Sequence, residues 1–134
     1  MPAKFKKLRL AAAVGTMQVL VAAAARSAEV KNLTGLPTYP SLTGAFMDPL
    51  WRTDILGRWC AHFSAVTRDP VERVETWYRQ ILIGASETDL RHDPAYQIYL
   101  GLDGIKLVIG VDWVAVYRIF NQTTTSIDLY RCTP

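Results

Sequence analysis

The chain has 134 residues with two cysteines, and its fifteen Lys and Arg outnumber twelve Asp and Glu, a length that holds one ordinary domain and no second one. The surplus of base is local: Lys4, Lys6, Lys7 and Arg9 precede residue 26 and no acid does, so the remaining 109 residues carry eleven bases against twelve acids. No block of Lys or Arg is left there to follow a phosphate backbone, which excludes nucleic acid as a partner.

The four leading bases are followed by an apolar run, residues 10–25, that ends in alanines. This is the order of parts in a secretory signal peptide. Cleavage after Ala25 leaves alanine at both small-residue positions, Ala23 and Ala25; cleavage after Ala28 is the alternative and puts Arg26 at one of them. At 1.5 Å per residue such a run reaches about 24 Å, short of a bilayer core of roughly 30 Å. Stable membrane insertion is therefore not expected once the signal is removed, and the expected location is the bacterial periplasm or the exterior. In that oxidising setting Cys60 and Cys132 are expected to form one disulfide.

Residues 26–47 lack sustained periodicity and are rich in Gly, Pro, Ser and Thr. They form an extended lead-in, with Tyr39 and Phe46 as its packing residues. Asp48-Pro49 predicts one or two helical turns, capped by Asp48, started by Pro49 and ended by Gly57. The domain proper is thus expected over 48–134. From residue 59 the apolar set Trp59, Ala61, Phe63 and Ala65 alternates with Cys60, His62, Ser64 and Val66, the period of a strand. Asp69 as N-cap, Pro70 at the first helical position and Glu72 three residues after Asp69 then predict a helix. Its stripe is Val71, Val74, Tyr78, Ile81 and Leu82, and Gly84 stops it.

A polar loop is expected over 85–94. Beyond it Tyr96, Ile98, Leu100 and Leu102 share one face, as do Ile105, Leu107, Ile109 and Val111, with Asp103-Gly104 between them. That pattern predicts a hairpin turning at Asp103-Gly104. Two more strands follow, residues 113–120 and Thr125–Cys132. The fold class is α+β: one main amphipathic helix on an antiparallel sheet of four to five strands, in the order β-α-β-β-β-β.

No catalytic constellation emerges. Cys60 with His62 lacks an orienting third group. Asp89, Arg91, His92 and Asp93 offer ligands suitable in kind but not in spacing, so no metal is expected. Glu72 and Glu75 fall on the solvent side of the helix, where a raised pKa is not expected. No phosphate-binding glycine loop or haem-attachment sequence is present, and no cofactor is expected. Among four tryptophans and six tyrosines, Trp77 beside the helix stripe, and Trp113 with Tyr117 on one strand face, are the candidates for an interaction surface.

Tyr39-Pro40, the Thr67, Asp69, Pro70 set, the Val74, Trp77, Tyr78 set on the helix, and Thr125, Ile127, Leu129 in the last strand form a further pattern. In these residues the chain resembles a loose group of small exported bacterial proteins and lipoproteins of unassigned function. The resemblance implies an α+β periplasmic domain and supplies no catalytic residue; the lipidation cysteine of the lipoprotein members is missing. The expectation is an exported, non-enzymatic domain that binds a partner protein or serves as an accessory subunit. The alternative is a small-ligand binder with a pocket between helix and sheet.

Overall fold

A computed structural model describes residues 30–52 and 58–133. Six strands form one antiparallel sheet: β1 (Gly44–Arg52), β2 (Trp59–Thr67), β3 (Ser86–Asp89), β4 (Asp103–Ile109), β5 (Asp112–Arg118) and β6 (Thr125–Cys132). One α-helix among the described residues, α1 (Val71–Ile81), lies between β2 and β3 in the chain. Across the sheet the order is β1-β2-β6-β5-β4-β3. The class is α+β, with six strands where four to five were expected.

The order follows from α1. Leaving β2, the helix carries the chain over one face of the sheet to its far edge, where β3 starts. The next three strands then step back, through the long segment 90–102 before β4 and shorter connections after it, until β6 closes on β2. The apolar stripe of α1 buries Val71, Val74 and Tyr78, and Leu82 just beyond it. Fully burying a side chain of that kind contributes about 1.5–3 kcal/mol. Ile81, expected on the stripe, is largely exposed. Beneath the helix, Phe63, Ala65, Leu107, Val114, Val116, Ile127 and Leu129 are buried. Arg79 reaches down from α1 to β3 and makes a two-pronged bond to Glu87, 2.8 and 2.9 Å, a geometry that fixes orientation as well as charge.

The start of the helix differs from expectation. Pro70, extended at ψ 149°, occupies the cap position, and no side chain caps the first turn. Asp69 is displaced outward and serves the lead-in and β6: its carboxylate accepts the Tyr39 hydroxyl, and its carbonyl oxygen accepts the Thr125 hydroxyl at 2.7 Å. Burial, then the bond to Asp69, pushes Tyr39 up to about 12. Tyr39 and Thr34 of the lead-in are buried, whereas Phe46 is exposed.

Three local expectations are corrected. The helix expected from Asp48-Pro49 is the second half of edge strand β1. Its register with β2 shifts between Asp48 and Trp51, and Asp48 accepts the Leu50 N–H at 3.2 Å. A proline has no N–H for a ladder, and an irregular edge strand tolerates it. The expected stop at Gly57 lies outside the described residues. Within the supposed loop 85–94, four residues pair with β4 as β3, followed by short 3-10 turns, Leu90–His92 and Pro94–Tyr96. Finally, the hairpin turns at Gly110-Val111, not at Asp103-Gly104. Ile109 pairs with Asp112, and Gly110 takes φ +63°, which a glycine adopts at no steric cost. Gly104 lies inside β4 because a Cβ there would collide with the Val116 carbonyl oxygen and Tyr117.

Closing β6 on β2 places Cys132 directly opposite Cys60, with Cα atoms 4.0 Å apart and the two sulfurs bonded. Chain-entropy reasoning gives about 4 kcal/mol for a cross-link spanning 72 residues. We expect the Cys60→Ala/Cys132→Ala variant to lose stability of that order in urea unfolding while keeping its far-ultraviolet circular dichroism. An unchanged midpoint would show that the bond closes no loop the unfolded chain feels.

Candidate functional site

Alternation along β6 turns Ile127 and Leu129 toward α1. Asp128, Tyr130 and Cys132 fall on the opposite face. That face is covered in part by the segment between β3 and β4, whose Leu90, Tyr96 and Leu102 pack with Ala115 and Tyr117. A carboxylate is thereby enclosed: Asp128 is only 5% exposed. Its Oδ2 accepts the hydroxyls of Tyr96 at 2.9 Å and Tyr117 at 3.0 Å. Its Oδ1 lies 3.2 Å from Nε2 of His62, an ion pair whenever the imidazole carries both protons. Buried charge is tolerated only when it is bonded in this way.

Aromatic rings extend the cluster. Tyr130 stacks between His62, with centroids 4.2 Å apart, and Trp113, at 3.9 Å. Lys106 sets its ammonium over Trp113, 4.3 Å from the centroid, and pairs with Asp93 at 3.0 Å. Burial pushes Tyr96, Tyr117 and Tyr130 well above the ordinary tyrosine range, and the negative charge of Asp128 adds to it. For Tyr130 a hydrogen bond with Tyr96 pulls the other way. All three hydroxyls therefore hold their protons at any ordinary pH. Tyr96 and Tyr117 serve as donors, and Asp128 is the acceptor they share.

The residues singled out from the sequence are spread over separate places. Cys60 and Cys132 are joined. Trp113 is half-buried in the stack, and Tyr117 is buried with its hydroxyl turned inward to Asp128. Trp77 is on α1, across the sheet from both. It meets Tyr39 and Tyr78 edge to face, at 5.3 and 4.8 Å. With Tyr39, Pro40, Glu72, Arg73 and Gln80 it lines an open hollow of about 480 Å³. That hollow lies between the lead-in and the outer flank of α1. Trp77, Trp113 and Tyr117 do not make one surface.

The polar loop residues are likewise divided. Asp89 is held by the Arg91 guanidinium, 2.6 Å at the closest, which lowers its carboxyl to about 2. It also accepts the Arg91 N–H at 2.9 Å, and Asp93 does the same for Ala95 at 2.9 Å, so each caps a 3-10 turn. Among the described residues no three His, Cys, Asp or Glu side chains converge as metal ligands. Glu75 departs from the reading of a solvated helix face: burial raises its pKa, and Arg79 at 3.9 Å works against that.

One exposed feature has no counterpart in the sequence reading. Ile98, Leu100 and Phe120 are 80%, 79% and 65% exposed. The Phe120 N–H bonds the Leu100 carbonyl at 3.2 Å, and Gly101, at φ +63°, sits so close that a Cβ would strike Phe120. Three large apolar side chains thus form a knob at one end of the sheet. Their alternation suited a strand face; the departure is that Tyr96 and Leu102 alone of that set turn inward. The signal that could have found Asp128 is a carboxylate flanked by Ile127 and Leu129 on a strand whose other side also carries Tyr130 and Cys132.

Replacing Asp128 by Ala strands two buried hydroxyls, and each unsatisfied buried group costs about 1–3 kcal/mol. We expect D128A to unfold at markedly lower urea concentration, by roughly 2–4 kcal/mol, with D128N between it and the native protein because the amide keeps one acceptor. Equal stability of all three in denaturant titration would contradict the role given to this carboxylate. No protein-family model, curated protein or solved structure matches the chain, so the meaning of the site rests on these residues alone.

Proposed function

We propose that the protein is an exported, non-enzymatic binding domain or accessory subunit of the bacterial periplasm or exterior, whose protein partner docks on the knob of Ile98, Leu100 and Phe120. The observation that carries this reading is the exposure of those three side chains on a turn and a strand end that the Phe120 N–H to Leu100 carbonyl bond brings together, since bare apolar groups gathered in one place mark interaction sites. The edges of the sheet argue for a docking surface made of side chains. Edge strand β1 is broken by Pro49 and by its register shift. Edge strand β3 has four residues, with Glu87 and Asp89 in ion pairs. Such edges resist the addition of a further strand. The charged n-region and apolar run support export, as does the Cys60–Cys132 bond, a linkage favoured outside the reducing cytosol. Among the described residues no helix is long and apolar enough to cross a membrane.

The hollow beside Trp77 favours a second reading, a small-ligand binder whose site lies between the lead-in and α1 rather than between helix and sheet. A ligand seated there would perturb Trp77 fluorescence and raise the melting temperature, since binding only the folded state stabilises it.

The first reading is tested in the producing cell. A photo-crosslinking residue at position 100 should capture a discrete protein, whereas one at Thr88 on β3 should not, and F120E should abolish the adduct. The protein recovered should begin at Arg26 or Glu29 by mass spectrometry. Equal labelling from both positions would sink the docking reading, and a chain that retains Met1 would sink export.

A further inference from the structure

We infer that the Tyr96–Asp128 bond is a latch that sets the position of the docking knob; this rests on the reading of Ile98, Leu100 and Phe120 as the docking surface. The segment between β3 and β4 has no ladder of its own after Asp89. What fixes it to the sheet is a short set of contacts, among them the ion pair of Asp93 with Lys106 on β4 at 3.0 Å. Leu90 and Leu102 pack at its two ends, and the Leu100 carbonyl accepts the Phe120 N–H. In its middle, the Tyr96 hydroxyl reaches Oδ2 of Asp128. Tyr96 is two residues before Ile98, and the Tyr99 N–H bonds its carbonyl at 3.2 Å, so displacing Tyr96 displaces the turn that bears Ile98 and Leu100.

The two tyrosines on Oδ2 are close to a matched pair. Tyr96 and Tyr117 donate to the same oxygen over nearly equal distances, 2.9 and 3.0 Å, and both are buried. They differ in what else holds them. Tyr117 is in the middle of the sheet, paired with Gly104 on β4 and Ser126 on β6. Tyr96 closes a three-residue 3-10 turn and has no strand partner; besides Asp128, its side chain bonds that of Tyr130 in the same cluster. A hydrogen bond to a charged acceptor is worth more than a neutral one. Its loss is absorbed by a strand on both of whose sides the ladder continues, and is not absorbed by an isolated turn, because local opening follows local contact density. Asp128 is in this sense a positioning residue for the knob, acting through Tyr96.

The contrast between two conservative variants tests this. Y96F and Y117F each remove one hydroxyl and keep the ring. Backbone amide exchange of residues 97–101 in the purified protein should quicken by about tenfold or more in Y96F and stay near the native rate in Y117F, with the two melting temperatures close together. Y96F should also lower the yield of crosslinking from position 100. Equal acceleration in both variants, or none in either, overturns the latch, the first because it would reflect general destabilisation. Faster exchange with an undiminished crosslink overturns the link to docking. Exchange is read without any partner, so failure of the native protein to crosslink would count against the docking surface and leave the exchange contrast standing.

Discussion

The rest of the structure depends on β2 and β6 lying side by side. They are far apart in sequence, and they meet because α1 spends the chain's first return on reaching the far edge of the sheet. The gap left beside β2 is filled last. Once filled, its register decides the disposition of both faces: Cys60 meets Cys132, His62 meets Tyr130, Ser64 meets Asp128 and Phe63 meets Leu129. A shift of one residue would exchange the faces, sending Asp128 under the helix and Leu129 to the opposite side. The disulfide fixes this pairing at one end. The Thr125 hydroxyl, bonded to the Asp69 carbonyl at the point where β2 gives way to α1, fixes it at the other.

That register has an electrostatic consequence. Burying a carboxylate in the middle of a sheet is unfavourable by several kcal/mol unless its oxygens are satisfied. Here the cost is offset by donors from three parts of the chain: β2 through His62, β5 through Tyr117, and the 3-10 segment through Tyr96. The two faces are therefore held by different physics. Under α1 the contacts are apolar and non-directional. On the other face apolar packing around Ala115 and Tyr117 is joined by directional bonds, with a short segment of little regular structure tied down by a charge-assisted one. This division explains why the segment carrying the exposed side chains can be ordered without a ladder.

Elements whose periodicity is uninterrupted were legible in the sequence. The strand from Trp59, the helix after Asp69-Pro70 and the final strand from Thr125 to Cys132 have the expected positions, and the disulfide follows from strand direction once β2 and β6 are neighbours. What was not legible depended on partners far along the chain. Ser86, Glu87, Thr88 and Asp89 have no strand-like composition; they pair because β4 presents an open edge and because Arg79 holds Glu87. Asp48-Pro49 opens a helix as readily as it breaks an edge strand, and the adjacent β2 decides the matter. Asp103-Gly104 has the composition of a tight turn, yet the glycine is needed for the close approach of Val116 and Tyr117. Asp128 was visible only as a polar position on an alternating strand, since Tyr96, which encloses it, comes from a segment whose own alternation pointed to a strand.

The same reasoning bears on why an apolar knob persists. An exposed Ile, Leu and Phe could be hidden by folding the 97–101 turn down onto the sheet. Two features oppose that. The space against Ala115 and Tyr117 is already filled by Leu90, Tyr96 and Leu102, so a second apolar layer has nowhere to enter a close-packed interior. The backbone of Gly101 is also pressed against Phe120, with the Leu100 carbonyl bonded there, which holds the turn outward. Exposure of Ile98 and Leu100 is thus a product of how completely Tyr96 and Leu102 are buried. A sequence change that relaxed the inner pair would tend to conceal the outer one, and the knob and the buried carboxylate beneath it belong to a single arrangement.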